Sequence, residues 1–150
     1  MNLIFDRTAE DVRTAREQRG TVTTPLKGCY NATDMNRVEA AVKALAAELN
    51  SAGYAVTVNP VTYAESDIIR RSDFAAYLAD VQAIRDAYYT LEETGALPKP
   101  EDKLGYQGAN TIEKVLADID LLLEGMLTMY RRAGTFTSGG NYLRQMIRSI

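Results

Sequence analysis

Apolar residues recur along this chain in three long stripes with steps of three and four. The first is Met35, Val38, Val42, Leu45 and Leu49; the second is Phe74, Tyr77, Val81, Ile84, Tyr88 and Leu91. The third is Ile112, Val115, Ile119, Leu122, Met126 and Met129. Such spacing puts each set on one face of an α-helix. Alanines at 40, 41, 44, 46 and 47 raise helix propensity and allow a neighbouring helix to come close. Asn31, Thr33 and Asp34 offer N-caps for the first stripe, and Ser72 offers one for the second. Gly53 closes the first stripe, and Gly95, Pro98 and Pro100 interrupt the chain before the third, which opens around Tyr106–Asn110. Helices of this size run about 30 Å, and three of them can close around one core.

The flanking stretches follow other patterns. Thr8 with Asp11 three residues on resembles a capping box, and Gly20 is a natural stop, so a short helix is predicted over about 9–19. Its stripe (Ala9, Val12, Ala15) is thin enough to need a partner surface. The connector Thr21–Gly28 reads as extended. Tyr54–Pro60 alternates with period two and ends in a breaker, which predicts a short edge strand near 55–59. Thr135–Ser138 reads as a short strand or turn, and 141–148 as a last helical turn or two. The predicted fold is mainly α: a three-helix bundle with a short β element and extended N- and C-terminal arms. Its divisions are an N-terminal helix and arm over 1–29, a three-helix body over 30–132 and a basic C-terminal arm over 133–150.

The chain has 150 residues, 46% of them hydrophobic and 25% charged, which suits one domain with a real core. It contains no histidine and one cysteine, Cys29. That inventory excludes Ser-His-Asp and Cys-His catalysis, imidazole metal ligation, an intramolecular disulfide and a multi-thiolate zinc site. The net charge of −3 hides an asymmetry. From Gly125 onward there are four arginines and no carboxylate side chain, leaving 13 basic against 20 acidic side chains before it, a net of −7. An acidic body and a basic tail can pair head to tail between copies or dock on an acidic neighbour; alternatively, the arginines solvate a helix end. The average charge argues against a general nucleic-acid binder. The N-terminus has an apolar patch of only three residues, Leu3–Phe5, before charge begins, short of the roughly 7–15 of a signal peptide and the roughly 20 of a membrane span. A soluble chain without an export signal is expected.

Candidate chemistry is sparse. Asp118 and Asp120 flank Ile119, and Glu113 lies five residues earlier, but neighbours of a buried Ile119 point to water, so a solvated helix face is expected rather than a convergent carboxylate pair. Gly134 and Gly139–Gly140 lack the order of a P-loop, and Gly105 and Gly108 read as a helix start. Cys29, beside Lys27, reads as a small apolar residue tucked under the second segment. Nine tyrosines and no tryptophan are more telling. Tyr130 and Tyr142 lie among the tail arginines, a composition suited to protein interfaces.

Three stretches are similar to small structural proteins encoded in bacteriophages and prophages. They are Lys27–Glu39 (KGCYNATDMNRVE), Asp67–Arg85 with its Arg71-Ser72-Asp73-Phe74 and Tyr77-Leu78, and Leu104–Asp120 (LGYQGANTIEKVLADID). The resemblance covers about residues 1–130 and departs at the C-terminus, where Thr135–Gly140 is followed by an Arg-bearing extension. It implies a non-enzymatic virion component of a tail, baseplate or fibre attachment, made in the host cytoplasm, with no catalytic residues, cofactor or metal. The implied partners are other virion structural proteins and further copies of the chain, with no membrane or nucleic acid. The interface residues expected are Val12, Tyr130, Arg131, Arg132, Phe136, Tyr142, Arg144 and Arg148. The alternative is a small adaptor or regulatory protein that binds a host partner or nucleic acid through the Arg/Tyr tail.

Overall fold

A computed structural model of the chain describes residues 1–22 and 26–133. Four helices follow in order: α1 (Ala9–Glu17), α2 (Ala32–Ser51), α3 (Arg71–Ala87) and α4 (Tyr106–Ala133), with a 3-10 turn at Glu92–Thr94. The protein is mainly helical, and α2, α3 and α4 each pack against the other two.

The caps act as the sequence requires. Thr8 accepts from the Asp11 amide and Asp11 accepts from the Thr8 amide, fixing the start of α1. Asn31 and Asp34 make the same reciprocal pair at α2. Gly53 ends α2 with φ +95°, a conformation that costs glycine nothing. α3 starts one residue before the expected Ser72 cap, with the Asp73 carboxylate accepting from the Arg70 amide.

The core follows the stripes. Val38, Val42, Leu45 and Leu49 of α2, Val81 and Ile84 of α3, and Ile112, Val115, Leu116, Ile119 and Leu123 of α4 are fully buried. Two expectations are corrected. The second stripe stops at Ala87: Tyr88 turns extended so that its ring meets Tyr54 edge-on, and Leu91 is exposed. In α4 the buried line passes from Ile119 to Leu123 rather than Leu122, and Met129 is 71% exposed. A straight helix has 3.6 residues per turn, so a strict heptad drifts off the buried face after a few turns.

All three long helices point the same way. Arg37 near the start of α2 bonds Glu113 near the start of α4, and Tyr77 in the second turn of α3 meets Tyr30 just before α2. At the far end Tyr54, Tyr88 and Met126 come together. Residues 52–70 and 88–105 must therefore run back along the bundle, which accounts for connections longer than an antiparallel bundle needs. Parallel helices align their dipoles, and acidic Asp34 and Asp73 at the N-terminal end and basic Arg131 and Arg132 at the C-terminal end both offset that cost.

The expected strand near 55–59 is extended backbone, and no strand occurs among the described residues. Its ladder partners are side chains. Asn50 accepts from the Val56 amide at 3.0 Å and donates to the Val56 carbonyl at 2.9 Å. Asn36 makes the same pair with Tyr63, both bonds at 2.8 Å, and Asp80 accepts from the Asn59 amide. Helix-borne amides thus satisfy the backbone that a neighbouring strand would otherwise pair. The Thr21–Gly28 connector is not extended throughout: a turn closes from Leu26 to Cys29. Expectations for 134–150 lie outside the described residues.

Candidate functional site

At the N-terminal end of the bundle four charged side chains converge. Arg7 arrives on the extended segment before α1, Asp34 and Arg37 stand on the first turns of α2, and Glu113 on the second turn of α4. Glu113 has no exposed surface and accepts four bonds. Arg7 and Arg37 each reach its Oε1 at 2.8 Å, while Arg37 Nε (3.1 Å) and the Ile4 amide (2.6 Å) reach its Oε2. Both guanidiniums also bond Asp34 Oδ1. Arg7 further donates to the carbonyls of Ile4 and Lys27 and lies 5.3 Å from the centre of the Tyr30 ring. Burial alone would lower the Arg37 pKa, but its bonds to Glu113 and Asp34 hold it above the usual value.

Two positive and two negative groups balance, and every Glu113 acceptor site is taken. The cluster is therefore a clamp. It ties the N-terminal segment to α2 and α4, assisted by Asn110, which accepts from the Arg7 amide at 3.0 Å and donates to its carbonyl at 2.8 Å. α1 is seated by backbone contact: a Cβ on Gly28 would lie 2.0 Å from the Asp11 carbonyl oxygen, so only glycine fits. Lys27 pairs with Asp6 at 2.9 Å. The N-terminal segment, expected from its thin stripe to need a partner surface, is tied to the chain's own body. Beneath it, the Tyr30 and Tyr77 hydroxyls bond each other, and burial raises both pKa values.

The expected solvated carboxylate face is corrected. Glu113 is in the interior, and Asp118 is held by Lys114 at 2.9 Å and by the Thr94 hydroxyl at 2.8 Å, which pins the second return segment to α4. Among the described residues no three Cys, Asp or Glu side chains are grouped to hold a metal ion, and no helix is long and apolar enough to cross a membrane. Cys29 is half-buried and lines a cavity of about 380 Å³ with Arg16, Tyr30, Lys103 and Tyr106. Val12, an expected interface residue, is half-buried on the wall of the same cavity.

A further carboxylate lies under the first return segment. Glu39 is 4% exposed, and its Oε2 has no hydrogen-bond partner. Burial, with the nearby Asp80 charge, pushes its pKa up to about 7 against the bonds that favour ionisation. Burial also raises the facing Tyr63 hydroxyl to about 12.

The C-terminal end is built differently. The Tyr54 and Tyr88 rings meet edge to face at 5.1 Å and 88°, and both hydroxyls point at the Met126 sulfur. Beside them Ser51, Ala52, Tyr54, Met126, Leu127 and Tyr130 line an apolar groove of about 330 Å³, with Arg131 at its rim. Tyr130 (63% exposed), Arg131 and Arg132 stand on the last turn of α4. Phe136, Tyr142, Arg144 and Arg148 lie outside the described residues. The expected interface residues are thus divided, with Val12 near the clamp and Tyr130–Arg132 at the opposite end.

Arg7, Asp34 and Glu113 were not recognisable as a cluster from sequence. One signal was present for Glu113: it follows Ile112 and precedes Leu116 by three, so it borders the buried stripe. Arg7 sits in an arm without periodicity and gives no such sign. No family model, curated protein or solved structure matches the chain.

Proposed function

We propose that the protein is a non-enzymatic structural component of a bacteriophage particle, an adaptor of tail, baseplate or fibre attachment that acts by protein–protein assembly. The reading starts from the three resembling stretches. Its main support is that they meet in one unit: Arg37 from the first bonds Glu113 from the third as well as its own neighbour Asp34, and Tyr30 from the first bonds Tyr77 from the second. Residues that give the resemblance thus build a rigid body, which is what an adaptor requires. The exposed Tyr130–Arg132 turn, leading into the basic C-terminal segment, is the assigned contact with neighbouring virion proteins.

Ending the chain after Arg132 tests the assignment. The truncated protein keeps the helical signal and melting behaviour of the body but enters particles poorly when supplied in place of the full chain. Incorporation equal to that of the full chain contradicts the assignment. Steeply salt-dependent binding of the full chain to single-stranded nucleic acid, lost on the same truncation, favours the adaptor reading through the Arg/Tyr tail instead.

A further inference from the structure

The outward face of α4 is unusual for a helix that packs on its own chain. Leu121 and Met129 are 67% and 71% exposed. Between them Gly125 sits in the interior of a 28-residue helix, and a Cβ built there meets nothing within 4 Å. The chain thus accepts a poor helix former where packing among the described residues does not ask for one. Glycine on an exposed helix face permits another backbone to come close. Charges border this face unevenly: Glu124 comes before Gly125, and Arg131 and Arg132 come after it, all three exposed.

The geometry points to a second copy of this chain as the occupant, with the two α4 helices antiparallel and crossing between Met126 and Leu127. At 100° per residue, that register lays Met129 of each copy over Leu121 and Leu122 of the other and sets Gly125 opposite Thr128. It also faces Glu124 of each copy with Arg131 of the other, so one contact is made twice by symmetry. In a parallel two-fold pairing the flank of Glu124 and Arg131 lies against the partner's flank of Asp118 and Met129, so the Glu124–Arg131 pairs are not made. The seam is one helix wide, at the small end of protein interfaces, so the dimer forms with rising concentration rather than permanently. The pairing goes beyond the virion role, because it concerns the purified chain whatever particle it joins.

Charge reversal tests it. The solution mass of the full chain, followed by sedimentation velocity over rising concentration, climbs from 16.6 kDa toward twice that value. Glu124→Arg alone and Arg131→Glu alone each weaken dimerisation about tenfold or more, and the double reversal restores it. Gly125→Leu raises helix content yet lowers the dimer fraction. A mass that stays monomeric at every concentration overturns the pairing. So does an oligomer insensitive to the single reversals, or a helical double reversal that fails to recover the dimer.

Discussion

At the N-terminal end of the bundle, Arg7, Arg37, Asp34 and Glu113 use one another's hydrogen-bonding capacity beneath a covering segment and leave Glu113 no contact with water. At the C-terminal end, Tyr54, Tyr88 and Met126 make a small aromatic–sulfur cap beside a groove that nothing in the chain's described residues fills. Both ends belong to the same three helices. The closed end draws its order from long-range charge pairing, whereas at the open end α4 carries Met129 and Tyr130 into solvent. Charge pairing and exposed apolar surface are therefore located at opposite ends, and substitutions at each should have separable effects.

The largest effect is expected at the clamp. Glu113→Ala leaves the buried Arg7 and half-buried Arg37 guanidiniums sharing Asp34 and orphans the Ile4 amide, and should cost about 3–5 kcal/mol in urea denaturation. A loss below about 1 kcal/mol would mean that water reaches the cluster. Asn50→Ala removes the two bonds that replace a strand partner for Val56 and should cost about 1–3 kcal/mol, with faster amide exchange confined to residues 54–59.

The next effect depends on pH. Glu39 has a folded pKa of about 7 against an ordinary 4.5, so the folded state binds its proton more tightly than the unfolded chain does. Its contribution is fully favourable below the ordinary value and is lost as pH rises through about 7. Glu39→Gln should therefore flatten the fall in stability across that window and stabilise the protein by about 1–2 kcal/mol near pH 8. An unchanged pH profile would show that Glu39 ionises freely. The smallest effect on stability is expected at the open end: Met129→Ser should change it by less than about 0.5 kcal/mol while lowering the concentration-dependent mass.

Much of the bundle is legible in sequence because burial repeats along a helix. The stripes of α2 and α3 name their core residues up to Ala87, and Thr8 with Asp11 and Asn31 with Asp34 announce the caps of α1 and α2. The drift from Leu122 to Leu123 is a matter of helix pitch that a heptad count misses. The return segment 54–64 looks like a strand because it is extended and half-buried, yet its bonds go to Asn36, Asn50 and Asp80. Those asparagines carry a local sign in their low helix propensity, but which backbone each one clamps is set by the parallel course of the helices. The clamp joins residues 106 positions apart, Arg7 and Glu113, and no local pattern encodes that meeting.

The contrast between the ends is tested most directly by amide hydrogen exchange of the full chain at a low and a high concentration. The account predicts that the Ile4 and Arg7 amides, bonded to Glu113 and Asn110, are protected equally at both. Protection over residues 124–133 is weak when dilute and rises with concentration. Free exchange at Ile4 and Arg7, or uniform protection along α4 at both concentrations, would contradict it.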